Sequence, residues 1–332
     1  MRIVHLLVSP RIGGAEQIVA GLNHQFSLLG FDSEVIYLDD SSKKSGRIKR
    51  LLSLRSKLRR MRSDVVLAHS FLPGIYSRLV APKLTKVHYV LHSASDDYQR
   101  PHLQWIERCL LSRTASVIAV DENQLNVYKS HFRRPIRSTT ITNGVSEKFL
   151  LNDPPRSKPH KVVTLARVVA QKRPEFWNEV AELAQAKGLD LQFEWWGPLS
   201  GDGKIDSHVL FNLPNNARYM GSTSEPEEVL RKSDIVFQSS NREASSLSVL
   251  EAAVAGKPQI CSASIVIASD LQKSVIKYDE NDPYAALDSI VAICSDWKEM
   301  SESAFNESKK IFEKVGIQDV AKRYLDWLSL PD

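Results

Sequence analysis

Two carboxylates, Glu243 and Glu251, stand at either end of the segment Glu243-Ala244-Ser245-Ser246-Leu247-Ser248-Val249-Leu250-Glu251. A carboxylate accepts hydrogen bonds from two vicinal hydroxyls, so one of the pair can hold a hexose and the other a ribose. The backbone amides of Ser245, Ser246 and Leu247 then lie between them, where a phosphate would sit. Glu243 falls in a loop after an apolar run, whereas Glu251 falls inside a helix that Ser245 or Ser246 caps. The offset therefore joins two levels of a site rather than two neighbours on one helix face. Two acids at this spacing mean little alone. Their place after a strand and before an Ala-rich helix closed by Gly256-Lys257-Pro258 makes the pair specific.

A second group is cationic. Arg167 and Lys172 flank a turn, and Pro174 opens a helix directly after it. A planar fork donor, a point cation and free helix-start amides are what a diphosphate requires, although solvated surface cations are the plain alternative. Gly13 and Gly14 follow the first strand where another helix begins, so a ligand can approach the main chain there. Their spacing matches neither a dinucleotide nor a P-loop fingerprint. His92 and His69 each close a strand, where an imidazole can bond a sugar hydroxyl or act on a proton. No Asp-x-Asp triplet occurs, so no metal and no cofactor are expected.

These residues need a scaffold that brings loop ends together. Short β-branched runs alternate with helical patterns: residues 3–8, 34–38, 65–68, 87–91, 117–120 and 139–142 read as strands in the first half, and 162–166, 191–196, 235–238 and 258–261 in the second. Ile18, Val19, Leu22, Phe26 and Leu29 recur at helical spacing between the first two runs. The rhythm predicts parallel sheets covered on both faces. Between Asn152 and Pro159 the periodicity stops and prolines cluster, which places a boundary after Ser157. The expectation is α/β: two Rossmann-like, doubly wound domains, residues 1–157 and 158–332, facing a cleft, with a final helix that can return to the first domain.

A chain of 332 residues with 42% hydrophobic content supports two cores. Its net charge of +5 conceals an excess of cations in residues 1–155 and of acids in the remainder. No run reaches the length of a membrane span, and no signal-peptide pattern opens the chain. Cys109, Cys261 and Cys294 lack metal-ligand spacing and read as small buried hydrophobes. A cytoplasmic protein is expected.

Taken in order along the chain, Gly13-Gly14-Ala15-Glu16, His92, Asn143-Gly144-Val145, Arg167 with Lys172, Gly197, the strand end at Arg218 to Gly221, and Glu243 with Glu251 resemble the retaining glycosyltransferases of family 4, which have the GT-B fold. The resemblance covers nearly the whole chain. It implies that Arg167 and Lys172 contact the donor diphosphate, Glu243 the transferred sugar and Glu251 the ribose. It places His92 and Gly14 against the reacting sugar and acceptor side, with Gly197, Ser245, Ser246 and Leu247 around the donor and Gly13 and His69 on the acceptor side. Acceptor would bind the first domain and donor the second. The family carries glycines between its two glutamates and after its Lys-Pro strand, where this chain has Ala244 to Ser248 and Ser262-Ala263-Ser264-Ile265. Ala166 likewise replaces a glycine.

The implied activity is metal-independent transfer of a sugar from a nucleotide sugar to a saccharide or lipid-linked saccharide, with retention, in bacterial surface polysaccharide or lipopolysaccharide synthesis. A glycoside hydrolase would use two carboxylates but not the adjacent cations. The alternatives are a non-catalytic nucleotide-sugar-binding protein or a nucleic-acid-binding one. Against the latter, no aromatic residue interleaves the cations of Lys43 to Arg62. That segment, uninterrupted by an acid, predicts a helix with an apolar stripe of Ile48, Leu51, Leu54, Leu58 and Met61. Such a stripe packs on a sheet, while Arg55, Arg59 and Arg62 are free to meet an anionic membrane surface at the inner face of the plasma membrane.

Overall fold

The computed structural model describes residues 1–10, 13–39, 46–92, 98–132, 136–199, 210, 212–265, 267, 271 and 275–330, without the side chain of Arg47. Two compact units emerge: Met1–Gly144 with Ile317–Asp332, and Val145–Gly316.

In the first unit, strands β1 (Arg2–Leu7), β2 (Asp32–Tyr37), β3 (Val65–His69), β4 (Lys86–Leu91), β5 (Ser116–Ala119) and β6 (Ser138–Thr140) form one parallel sheet in the order β2-β1-β3-β4-β5-β6. The chain leaves β1 for β2 in one direction and builds outward from β3 in the other, so β1 and β3 enclose the topological switch point. Helices α1 (Gly14–Leu28), α2 (Arg47–Met61), α3 (Phe71–Val80), α4 (Pro101–Leu110) and α5 (Glu122–His131) cover it. Burial of Ile18, Val19, Leu22 and Phe26 fixes α1 by its predicted stripe. On α2, Leu54 and Leu58 are buried against Val4, Leu6, Ile36 and Val66, with Leu51 and Met61 packed beside them. Ile48 departs from the expected stripe: it is 75% exposed, one turn ahead of the part of the helix that covers the sheet. The Lys43 and Lys44 part of the basic segment lies outside the described residues.

A charged pair sits inside this unit. Arg78 donates to both carboxylate oxygens of Glu107 at 2.6 and 2.7 Å, and Tyr128 Oη donates to the same carboxylate at 2.7 Å. Burial alone pulls the Arg78 guanidinium down, but the hydrogen bonds and charge of Glu107 hold it above its ordinary value.

The second unit carries β7 (Lys161–Leu165), β8 (Gln192–Trp196), β9 (Ala217–Gly221), β10 (Ile235–Gln238), β11 (Gln259–Ser262) and β12 (Val275–Tyr278), ordered β12-β11-β10-β7-β8-β9 and again parallel. Here the switch point lies between β7 and β10. Helices α6 (Pro174–Ala186), α7 (Pro226–Lys232), α8 (Leu247–Val254), α9 (Pro283–Ser295) and α10 (Trp297–Val315) accompany it. The core stacks Trp177 edge-on against Trp195, with ring centroids 5.5 Å apart.

Two details, the boundary between the units and the exposure of Cys109, differ from the sequence reading, while the return of the last helix to the first unit agrees with it. The units divide at Gly144/Val145 rather than after Ser157, because Val145, Phe149 and Leu151 are buried in the second core. The last helix, α11 (Ile317–Ser329), belongs to the first unit, where Arg137 stacks on Trp327. Cys109 is exposed on α4, while Cys261 is buried. Among the described residues, no helix is long and apolar enough to cross a membrane.

Candidate functional site

In the second unit the functional side chains gather where β7 and β10 end. The loop after β7 is tied to the loop after β10 by three hydrogen bonds: Asn241 N–H donates to the Gln171 carbonyl at 3.0 Å, Gln171 Nε2 to the Arg242 carbonyl at 2.6 Å, and Ser239 Oγ to the Lys172 carbonyl at 2.5 Å. This lacing brings Lys172 Nζ to 2.5 Å from Glu243 Oε1, with both side chains largely buried. Arg167 stands on the same loop, exposed, and none of the described residues pairs with its guanidinium. An ion pair, a free fork donor and two helix starts thus share the carboxyl edge of the sheet at its switch point, where parallel sheets take ligands.

Gly197 supports that loop from the end of β8. Its φ is +150°, and a Cβ built there would lie 1.9 Å from the Ala166 carbonyl oxygen and 3.1 Å from the Arg167 nitrogen. Only glycine lets the two chains approach so closely. Trp195 Nε1 and the Ala166 carbonyl, 2.9 Å apart, clamp the same peptide from beneath.

The serines around the start of α8 are occupied. Gln238 Nε2 donates to Ser246 Oγ at 3.0 Å and to Ser248 Oγ at 2.9 Å, and the two hydroxyls lie 3.1 Å apart. Ser246 is the residue before α8, yet its side chain does not cap the helix. By contrast, Asp121 and Asp282 cap α5 and α9 with their carboxylates. The Ser246 side chain therefore leaves the first-turn amides of α8 uncapped, as anion recognition requires. After β11, Ser264 Oγ donates to the Asn241 carbonyl at 2.7 Å and lies 2.6 Å from Ser262 Oγ.

Glu251, on the second turn of α8, is buried, and its carboxyl has no hydrogen-bond partner among the described residues. Burial raises it from the ordinary range to about 8, with the Lys148 charge opposing and the Glu227 charge adding to the rise. A buried carboxyl without a hydrogen-bond partner has acceptor oxygens left for hydroxyl donors of a ligand, and such donors favour its ionised form.

In the first unit, Gly13 precedes and Gly14 opens α1, the helix that follows β1 in the chain, with no side-chain cap and open space around the Gly14 Cα where a side chain would stand. His69 ends β3 and His92 follows β4. His69 Nδ1 and His92 Nε2 are 2.9 Å apart. The sequence put His69 on the acceptor side; it is fully buried behind His92, which is only part-buried, so it meets a ligand only through its neighbour. Sequence reasoning missed His5, inside β1, whose Nδ1 lies 3.0 Å from His69 Nε2. It also missed Gln238. Ser70, between His69 and α3, adopts φ 79°, ψ 175°, a conformation that costs a non-glycine residue about 1–3 kcal/mol. Its N–H donates to the Val90 carbonyl at 2.9 Å, which draws the ends of β3 and β4 together. Arg55, Arg59 and Arg62 are all exposed.

The sequence family described as "Glycosyltransferase Family 4" matches residues 12–149, and that described as "Glycosyl transferases group 1" matches residues 148–311. A relative from Escherichia coli, UDP-Gal:alpha-D-GlcNAc-diphosphoundecaprenol alpha-1,3-galactosyltransferase, is 26% identical over 310 residues, covering 79% of each chain. Poly(ribitol-phosphate) alpha-N-acetylglucosaminyltransferase of Staphylococcus aureus (strain COL) is 25% identical over 199 residues, 56% of this chain and 38% of that one. Among solved structures, Anabaena HepE in complex with UDP and glucose superposes with a TM-score of 0.81 at 14% identity, over 99% of both chains. The sucrose-phosphate synthase of Thermosynechococcus elongatus does so with 0.81 at 16% identity, over 98% of both.

Proposed function

The chain belongs to the family 4 glycosyltransferases, with the GT-B fold, and on that premise we propose that it moves a hexose from a UDP-sugar to a lipid-linked saccharide at the inner face of the plasma membrane, with retention of the anomeric configuration. The observation that carries this reading is the pairing of Lys172 with Glu243 at the switch point of the second sheet, beside the unpaired Arg167. A bound diphosphate offers Lys172 a second anion, and a bound sugar offers Glu243 hydroxyl donors, so each partner is held in place until substrate arrives.

In the reaction the donor C–O bond loosens first and the acceptor hydroxyl attacks from the face that the diphosphate vacates. Positive charge grows on the sugar ring and negative charge on the leaving diphosphate. Arg167 and Lys172 neutralise the latter, with the uncapped start of α8 adding amide donors. Glu251 receives the ribose hydroxyls and Glu243 those of the hexose. His92 and Gly14 border the reacting sugar, and Gly13 belongs to the acceptor side.

The UDP-sugar and lipid-linked acceptor are supported by the Escherichia coli relative, which uses UDP-Gal and a diphosphoundecaprenol-linked sugar by its name. An observation on α2 supports the membrane surface: Ile48 and Leu52 are 75% and 62% exposed and share a helical face with Arg55 and Arg59. Exposed aliphatic side chains among cations suit an anionic lipid surface.

Thermal stabilisation by UDP-, GDP- and ADP-sugars tests the donor. A ligand at 100 times its Kd adds about 2.7 kcal/mol, and the UDP series is expected to give the largest shift. Turnover of UDP-galactose and UDP-glucose with lipid-linked N-acetylglucosamine, and the anomeric configuration of the product, test the rest. Absence of stabilisation by every nucleotide sugar would overturn the reading.

A further inference from the structure

Three imidazoles form a continuous ladder across the first sheet. His5 on β1 faces Leu67, two residues short of His69 on β3; His69 faces Val90, two residues short of His92 after β4. A two-residue step keeps a side chain on the same face of a sheet, so each histidine stands one rung further along the next strand. The rings stack with centroids 5.3 and 5.1 Å apart, and Phe26 of α1 lies against the inner end, 5.4 Å from His5. The hydrogen bonds are His5 Nδ1 with His69 Nε2 and His69 Nδ1 with His92 Nε2.

The ladder is neutral. Burial lowers His5 to about 3 and His92 to about 4, and it lowers His69 as well, with the charges of His92 and His5 acting in the same direction. A neutral imidazole carries one N–H, so His69 donates through one nitrogen and accepts through the other. Both bonds must therefore point the same way. If they point inward, His5 ends the ladder with an Nε2–H; if outward, with an Nε2 lone pair. His5 Nε2 is buried with no partner. An orphaned buried N–H is the rarer and more costly of the two.

We infer that His5 and His69 are positioning residues that hold His92 in the Nδ1–H tautomer, so that His92 meets the reacting sugar or acceptor as a neutral hydrogen-bond donor and not as a base. The inference rests on the proposed placement of His92 beside the reacting sugar. It assigns the acceptor's proton to another group, the departing diphosphate being the nearest base that the reaction itself creates. It also gives the strained Ser70 a purpose, since its bond to Val90 holds the β3 and β4 ends at the separation the ladder needs.

The test is a long-range proton–nitrogen correlation spectrum of protein labelled with 15N-histidine at pH 7, with His92 identified by its loss in His92→Gln. The expected result is a protonated Nδ1 and an unprotonated Nε2 on His92; the reverse pattern overturns the inference. Kinetics with UDP-glucose supply the second arm. His69→Phe keeps the stack and removes both bonds, and is expected to lower kcat about tenfold with KM for UDP-glucose little changed, the size of one lost hydrogen bond. His69→Asn keeps an amide donor toward His92 and is expected to recover most of the loss. Wild-type kcat in His69→Phe overturns the positioning role. Full activity in His92→Ala, with the predicted tautomer present, removes His92 from the site and sinks the functional placement, leaving the ladder's proton order standing.

Discussion

The ammonium of Lys172 and the carboxylate of Glu243 come from loops on either side of the second sheet's switch point and meet at 2.5 Å, held by lacing that runs through Gln171, Ser239 and Asn241. Replacing either by alanine is expected to lower kcat by about 10²–10³-fold, the range seen when one preorganised partner of developing charge is lost. Because the three hydrogen bonds of that lacing remain, the fold should persist, with a circular dichroism spectrum like that of the wild type. Near-wild-type turnover in both variants would remove the pair from the reaction.

Glu251 gives a pH signature. Its folded value of about 8 lies above the ordinary carboxylic acid value of 4.5. The un-ionised form is thus favoured in the folded protein, and this contribution to stability is complete below pH 4.5 and lost as pH rises through 8. Glu251→Gln cannot ionise. Its stability relative to the wild type should increase across that interval, measured by urea denaturation at pH 5 and pH 9. Donor hydroxyls favour the carboxylate, so UDP binding at pH 7 is expected to release a proton in the wild type and none in the variant. Calorimetry in buffers of different ionisation enthalpy reads that proton, and equal release by both proteins would contradict the assignment.

Within the first unit, the fully buried Arg78–Glu107 pair predicts a large structural effect. Glu107→Ala leaves a guanidinium without its charge partner and Tyr128 without its acceptor. A loss of about 3–5 kcal/mol is expected in urea denaturation, against less than half of that for Arg108→Ala on the exposed side of the same helix. Equal losses would mean that water reaches Arg78.

For the α2 surface, the expected result is salt-sensitive cosedimentation with phosphatidylglycerol vesicles and none with phosphatidylcholine. Each cation near an anionic leaflet contributes about 1 kcal/mol, so reversing Arg55, Arg59 and Arg62 to Glu should abolish binding while UDP affinity is unchanged. Leu52→Ser separately tests the aliphatic contribution. Cosedimentation indifferent to lipid charge would return α2 to a helix that only covers its sheet.

The alternation of β-branched runs and helical stripes made the first sheet readable strand by strand, because its central strands β1, β3, β4 and β5 are buried on both faces. β12 was not readable: Val275-Ile276-Lys277-Tyr278 is a short edge segment whose Lys277 breaks the apolar run. β9 was suggested only by resemblance, since Arg218 and Met220 alternate outward on the other edge. Lys172 and Glu243 could each be named from the sequence, but not their contact, which depends on the pairing of β7 with β10. His5 was hidden for a related reason. Inside an apolar strand it looks like any core residue, and its role emerges only from the register of three strands.

The serines beside α8 carry one more consequence. Ser246 occupies the position from which a serine ordinarily caps a helix, and a hydroxyl turned onto those first-turn amides would compete there with a diphosphate. Gln238 prevents this by holding the hydroxyl from below. This chain keeps the position open with a serine and a restraining amide, so the two residues are coupled: Gln238→Leu should release a resident inhibitor made from the protein's own side chain, weakening UDP binding by roughly tenfold. Glycine introduced at Ser246 in the same molecule should restore it. A helix start can thus stay vacant for its ligand because a residue that never touches the ligand keeps the nearest rival occupied.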